Sequence, residues 1–265
     1  MEFTEKIITN SIKEYGTDVV QERYKKSAML GFWESEEMLV KKYFSEKSSV
    51  LDLACGSGRT ALALYKLGYQ VTGVDLTPEM IQIAKNTASI ENADISYEVG
   101  NITNLNFEDN SFDNALLPNN GLASIPSYQN RKKSLQEIYR ILKPNGYTIL
   151  SIPLRQYDQS YLLHWIKSWV EHYVLSLFGY KPKDVDFGDF FYHRHYKGQA
   201  LEQVQFLHFF SEKEMGKLIN QSGLEVVEKV FMAELSKKDT ESMMGSLAEK
   251  DNTRKTQIYY VCQKK

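Results

Sequence analysis

Ser49-Val50-Leu51-Asp52-Leu53-Ala54-Cys55-Gly56-Ser57-Gly58-Arg59-Thr60, continued by Ala61-Leu62-Ala63-Leu64-Tyr65 and then by Val71-Thr72-Gly73-Val74-Asp75, decides the fold. Val50 to Ala54 is a short apolar run ending in a Gly-rich turn, the pattern of a buried parallel strand. Gly56 and Gly58 allow a sharp turn, with no side chain between the backbone and a ligand lying across the strand's carboxyl end. Thr60 to Leu67 reads as a helix whose N-terminus points at that ligand, with Gly68 as its C-cap.

Asp75 ends the next apolar strand about twenty residues past the turn, where a carboxylate accepts hydrogen bonds from both hydroxyls of a ribose. The expected ligand is a nucleoside. Gly56-x-Gly58-x-x-Ala61 also fits the looser dinucleotide fingerprint, so the pattern alone leaves NAD and other adenosine compounds open. Context narrows it. Asp52, just before the glycines, suits a cationic amino group and would repel a pyrophosphate.

Downstream, Phe112-Asp113-Asn114-Ala115-Leu116-Leu117 is a strand leading into Pro118-Asn119-Asn120. Ile138-Tyr139-Arg140-Ile141-Leu142-Lys143-Pro144-Asn145-Gly146 is a helix end, a turn and the return to a strand, proline fixing one dihedral and glycine taking the left-handed one. In this order the stretches resemble the class I S-adenosylmethionine-dependent methyltransferases, from Tyr15 to Val230 and through the final strand. The resemblance implies an α/β, Rossmann-like fold: a seven-stranded, mostly parallel sheet with helices on both faces. It implies S-adenosyl-L-methionine as cofactor and S-adenosyl-L-homocysteine as product. Tyr24, Asp52, Ala54, Cys55, Gly56, Gly58, Asp75, Leu76, Met80, Asn101, Ile102 and Pro118 are the cofactor-site candidates. Of these, Asp52, Ala54, Gly56 and Gly58 surround the amino-acid end and Asp75 takes the ribose. Leu76 and Met80 flank the adenine, Asn101 and Ile102 meet its edge, and Pro118 lies near the methyl. Family members commonly carry Asp where Asn101 stands; its amide oxygen can still accept the adenine amino group.

The chain has 265 residues, 42% of them hydrophobic, enough for one large core with an appended cap. We read a single domain over 1–265: an N-terminal helical segment 1–47, a core of 48–153 and 211–265, and a cap insertion 154–210. Net charge is −2 with both signs interspersed, which argues against a long nucleic-acid footprint and favours a small-molecule acceptor. Two distant cysteines, Cys55 and Cys262, give no disulfide framework and no metal spacing, as expected of a reduced, cytoplasmic protein. No apolar run approaches the ~20 residues that cross a bilayer, and Met1-Glu2-Phe3-Thr4-Glu5-Lys6 lacks a signal-peptide apolar region.

Thr4 to Glu14 and Thr17 to Leu30 have helical apolar spacing. In the family such a segment often closes over the methyl donor, with Tyr15 and Tyr24 as the polar-tipped aromatics. Glu36 to Phe44 is the helix before the first strand, with Met38, Leu39 and Tyr43 on its apolar side.

Between Pro153 and Phe210 the plain fold expects a short connection and one helix. Here Tyr161, Trp165, Trp169 and Tyr173 recur every fourth residue, so 161–177 is a helix with a broad apolar face in an α-rich insertion after the fifth strand. This stripe reads either as core or as a cage for a hydrophobic or aromatic acceptor. Lys181-Pro182-Lys183 breaks the chain, and all five histidines (His164, His172, His193, His195, His208) fall in the insertion or at its exit. His193-x-His195 lacks the partners of a metal site, and none is expected. Tyr24, Asn120, His193, His195 and His208 are the candidates for a catalytic group; an imidazole titrates near neutrality and can take a nucleophile's proton. Ser211-Glu212-Lys213-Glu214 is a capping box, Gly223 to Val230 a turn and strand, and Leu235 to Lys255 a long polar loop holding Met243 and Met244. Thr256 to Cys262 closes the sheet, antiparallel if the family pattern holds.

The function expected is methyl transfer to an N, O or C nucleophile of a small molecule. Two other readings stay open: an RNA or tRNA nucleotide methyltransferase, since Phe206-Leu207-His208-Phe209-Phe210-Ser211 is similar to a stretch of tRNA uridine-modifying relatives, and a non-catalytic protein that binds S-adenosylmethionine without turnover.

Overall fold

The computed structural model describes residues 2–157, 159–180, 186–196, 199–240 and 257–265. Three helices open the chain: α1 (Glu2–Tyr15), α2 (Asp18–Ser27) and α3 (Glu34–Tyr43). Strands and helices then alternate as β1 (Ser49–Leu53), α4 (Arg59–Lys66), β2 (Gln70–Asp75), α5 (Pro78–Ile90), β3 (Ser96–Val99), β4 (Phe112–Leu117), α6 (Tyr128–Ile141) and β5 (Leu142–Pro153). This alternation is what forces a parallel sheet covered on both faces. The insertion follows as α7 (Gln159–Trp169), β6 (Asp189–Tyr196) and β7 (Gln199–His208); then come α8 (Glu212–Ser222), β8 (Glu225–Phe231), the single turn α9 (Met232–Leu235) and β9 (Gln257–Gln263).

Seven strands form one sheet in the order β3-β2-β1-β4-β5-β9-β8. Only β9 runs against its neighbours, pairing antiparallel with β5 and β8. Strand order reverses between β1 and β4, and ligands of open α/β sheets bind in the crevice at such a point. Val50, Leu51, Leu53, Leu116 and Leu117 have no exposed surface, so the strands meeting there are rigidly held from both faces.

Two details of the fifth strand differ from expectation. Phe112 pairs with Leu142 and Asn114 with Tyr147, so residues 143–146 are a bulge within β5 rather than a turn before it. Asn145 takes the left-handed conformation (φ 67°), and Gly146 is needed for another reason. A Cβ there would stand 2.5 Å from the Asp113 carbonyl oxygen.

The insertion is not purely α-rich. Helix α7 runs on through a π turn (Val170–Val174) and a 3₁₀ turn (Leu175–Phe178), but β6 and β7 then form a separate antiparallel ribbon. Alternation explains it: Phe190 and Tyr192 share one face, Phe191 and His193 the other. Trp165, on α7, is 2% exposed and rings with Phe187 and Phe209. Tyr161 meets Phe190 and Phe209. The aromatic stripe is thus split: Tyr161 and Trp165 form the cap's own core, while Trp169 and Tyr173 stay about half exposed. Lys181-Pro182-Lys183 lies outside the described residues.

Met38, expected on the apolar side of its helix, is 47% exposed. The stretch expected as a polar loop from Leu235 begins as packed structure. Asp239 is 3% exposed, and its carboxylate accepts from the Glu34 and Ser35 N–H groups (3.2 and 2.7 Å) at the start of α3. Residues 241–255, with Met243 and Met244, lie outside the described residues. No helix among those described is long and apolar enough to cross a membrane.

Candidate functional site

The carboxyl ends of β1, β2 and β4 converge on the glycine turn. Ala54, Gly56 and Gly58 all take positive φ (51°, 54° and 84°), so the chain coils tightly before α4 starts. The two glycines differ in purpose. A Cβ on Gly58 would lie 2.6 Å from the Tyr97 hydroxyl and 3.1 Å from the Ala84 methyl, so its bareness serves helix and strand packing. A Cβ on Gly56 would meet only the Tyr24 ring, at 3.8 Å, so this is the glycine that faces the ligand side.

Asp52, the penultimate residue of β1, has no exposed surface. Its Oδ2 accepts from the Thr60 hydroxyl at 2.6 Å, whereas its buried Oδ1 has no hydrogen-bond partner among the described residues. Burial pushes its pKa up to about 7, against the lowering effects of Thr60 and Arg59. A carboxylate oxygen left without a donor in a dry site is costly, and the cationic amino group expected here would satisfy it. The residues present therefore fit the amino-acid end of the expected cofactor.

Asp75 ends β2 and is tied to the glycine turn. Its Oδ2 accepts from the Gly56 N–H and its Oδ1 from the Thr77 N–H, both at 2.9 Å. Burial raises its pKa while these backbone donors hold it down. Each oxygen keeps a lone pair for a ribose hydroxyl. Cys55 is buried beneath the turn, and burial pushes its thiol pKa well up, so it packs rather than reacts.

The N-terminal helices roof this turn. The Tyr24 carbonyl accepts from the Ser57 hydroxyl (2.9 Å), and the Tyr24 ring meets Tyr15 edge-on at 5.5 Å. Arg194, from the ribbon, donates to the Tyr15 hydroxyl (2.6 Å) and lies 4.7 Å from its ring. Arg59 holds the segment below: its guanidinium donates to both Glu36 oxygens (2.8 and 2.9 Å) and to the Gly31 carbonyl. Such a buried bidentate pair fixes orientation more than it adds stability.

The remaining sequence candidates scatter. Pro118 is buried at the end of β4, and Ala54 lies close to Gly121 there, so β4 and the turn do meet. Ile102 is mostly buried in the core beside Val74, and Leu76 is half-buried. Met80 is 1% exposed, so it backs the site from within the core. Asn101 is exposed, and its Oδ1 already accepts from the Thr103 N–H and hydroxyl (2.9 Å each), a local turn that uses the oxygen reserved for adenine. Asn120 accepts at Oδ1 from Gln257 (2.7 Å), tying the β4 loop to β9.

His208 is not available as a base. It has no exposed surface, and its ring nitrogens contact Asp189 (2.6 Å) and Glu214 (2.8 Å). Arg131 and Arg155 complete this buried network, which anchors the ribbon to α6 and α8. His193 and His195 lie on the exposed face of β6. Phe210, in the stretch read as similar to tRNA-modifying relatives, is wholly buried, and Ser211 caps α8 through the Glu214 N–H. Those residues serve the fold.

Sequence reasoning missed Glu14, Arg194 and Gln205, which the ribbon and α1 bring together beside Tyr15. A lone Glu on an amphipathic helix and a Gln in a polar strand carry no signal until the two elements are packed.

A family profile described as a methyltransferase domain matches residues 50–146. The demethylmenaquinone methyltransferase of Staphylococcus epidermidis is 34% identical over 142 residues, covering 50% of this chain. The chain spans about half the length of that curated relative (53%). The enzyme of the same name from Lactiplantibacillus plantarum is 28% identical over 200 residues, covering 74% of this chain and 77% of its own. Among solved structures, an S-adenosylmethionine-dependent methyltransferase from Methanosarcina mazei is 24% identical with a TM-score of 0.65, covering 85% of this chain and 96% of that one. That likeness shows the fold.

Proposed function

We propose that this chain is a class I S-adenosylmethionine-dependent methyltransferase and that it moves the methyl group of S-adenosylmethionine to a nucleophilic atom of a small-molecule acceptor. The observation that carries this reading is the buried Asp52 oxygen without a hydrogen-bond partner among the described residues, on the strand that leads into a glycine turn whose Gly56 N–H is held by Asp75. Asp52 would hold the ammonium, Asp75 the ribose hydroxyls, and Leu76 with Ile102 the adenine, backed by Met80. Tyr24 would close over the amino-acid end. Asn101 is left out because its oxygen is engaged. The bound cofactor supplies an electrophilic methyl on a sulfonium whose departure leaves a neutral thioether.

The protein's main task is then alignment. Holding two reactants in line supplies roughly 7–11 kcal/mol, more than the ~10²–10⁴-fold of a general base. The rigid ends of β1 and β4 and the roof of α1, α2 and the ribbon do this aligning. For the acceptor we propose an apolar, aromatic ring of the quinone type. The relatives' names carry a quinone, and the cap is rich in aromatic side chains. Both cysteines are free and buried, in keeping with a cytoplasmic protein.

The test is incubation with methyl-labelled S-adenosylmethionine and a panel of reduced quinones and phenols, read by mass spectrometry. Label in an acceptor with matching S-adenosylhomocysteine, lost in Asp75→Ala, supports the reading. Tight cofactor binding with no labelled product from any acceptor class would leave only the non-catalytic alternative.

A further inference from the structure

The last turn of α1 is held mainly by the insertion. Helix α1 packs chiefly against β7 of the ribbon and only lightly against α2. Arg194, on β6, grips the last two residues of α1 through different atoms of one guanidinium. Its terminal nitrogen donates to the Tyr15 hydroxyl at 2.6 Å, and its Nε stands 3.3 Å from Glu14 Oε1. The guanidinium carbon also lies 4.7 Å from the Tyr15 ring centroid, a cation on an aromatic face. Gln205, on β7, hydrogen-bonds the same Glu14 carboxylate, so both strands of the ribbon hold this end of α1. Glu14 is 1% exposed and Gln205 2%, which keeps water from competing for these contacts.

From Tyr15 the grip passes to the glycine turn. The Tyr15 and Tyr24 rings meet edge-on with centroids 5.5 Å apart. A Cβ on Gly56 would find the Tyr24 ring as its nearest neighbour, at 3.8 Å, and the Tyr24 carbonyl accepts from the Ser57 hydroxyl at 2.9 Å. Charge follows the same path: burial raises the Tyr24 pKa, Tyr15 adds to the rise, and Arg194 opposes it.

We propose that Arg194 is a positioning residue for cofactor retention: from the inserted ribbon it fixes Tyr15, and through Tyr15 it keeps the Tyr24 ring over the glycine turn. The inference rests on the methyltransferase reading above, which puts the amino-acid end of the cofactor at that turn. Arg194 acts through the two tyrosines and touches no reacting atom. Cofactor leaves when the grip on α1 opens, so the insertion sets how long it stays. Such coupling is reciprocal: bound cofactor steadies the ribbon as the ribbon steadies the roof.

The test uses the full chain and S-adenosylhomocysteine, with surface plasmon resonance reading association and dissociation separately. Arg194→Ala removes a charge-assisted hydrogen bond and an ion pair, and dissociation should quicken about tenfold or more. Association should change less than about threefold. Arg194→Lys keeps the charge without the planar fork and should fall between wild type and Arg194→Ala. Tyr15→Phe should also quicken dissociation, and the double variant should release ligand no faster than Arg194→Ala alone, because both changes remove one contact. Should Arg194→Ala fail to fold, Tyr15→Phe carries the same comparison. Hydrogen exchange supplies a readout that a merely structural arginine would not move. S-adenosylhomocysteine should protect β6 and β7 amides in wild type and lose that effect in Arg194→Ala or Tyr15→Phe, while β1 and α4 stay protected. Unchanged dissociation in both single variants, or ligand protection of the ribbon equal to wild type in them, would overturn the proposal. Failure of S-adenosylhomocysteine to bind the wild-type chain would instead sink the methyltransferase reading, so the two failures are distinguishable.

Discussion

Asp52→Asn should uncouple cofactor affinity from pH. The wild-type carboxyl is wholly buried, and burial lifts its pKa from 3.8 to about 7. The sign follows from linkage: a folded-state pKa above the unfolded one gives stability that is complete below the unfolded pKa and lost as pH rises through the folded pKa. Between pH about 4 and about 7 the ligand-free protein thus loses up to about 4 kcal/mol, about three pH units at about 1.4 kcal/mol each. The cofactor's ammonium reverses the preference, since it requires the ionised form. Affinity for S-adenosylmethionine should fall about tenfold for each pH unit below 7. It should weaken again above about pH 8 as the α-amino group loses its proton. The variant keeps the shape, removes the charge and loses this slope; it should bind at least about thirtyfold more weakly at pH 7.5, about 2 kcal/mol. The variant without ligand should melt higher than wild type at that pH. Calorimetric titrations from pH 5.5 to 8.5, in two buffers of different ionisation enthalpy, report affinity and proton release together. A flat wild-type affinity between pH 5.5 and 7, or the same slope in the variant, would refute the reasoning.

His208→Leu removes the ring that contacts both Asp189 and Glu214; urea unfolding should show a loss of about 3–5 kcal/mol, with cofactor affinity nearly unchanged. A loss of turnover at full stability would instead restore His208 as a catalytic base. Gly58→Ala places a methyl group at φ 84° against the Tyr97 hydroxyl, and should cost about 1–3 kcal/mol in thermal unfolding. A change under about 0.5 kcal/mol would mean that Tyr97 moves freely and that the turn is less constrained than its geometry implies.

The sheet was legible because its signals are local. Val50 to Ala54, Val71 to Asp75 and Phe112 to Leu117 are strands that period, apolar run and terminal acid announce without help from the rest of the chain. The positions of Asp52 and Asp75 at strand ends followed from the same patterns. What escaped was set by tertiary contact. Ala54 takes a left-handed conformation that only glycine advertises. Asn145 and Gly146 share the roles that the turn pattern gave to glycine alone. His208 looked reactive because its carboxylate partners stand 19 and 6 residues away along the chain and meet it only in the folded cap. Asn101 looked like an adenine ligand until its own Thr103 claimed the oxygen. The roof cluster of Glu14, Arg194 and Gln205 joins α1 to a ribbon nearly 200 residues later, and no window of sequence contains it.

Titrating the purified full chain with S-adenosylmethionine, with NAD in parallel and Asp75→Ala as control, tests the central claim most directly. The account predicts micromolar binding of the sulfonium compound, about tenfold or more weaker in the variant, and no heat with NAD. Preference for NAD, or affinity untouched by loss of Asp75, would contradict it.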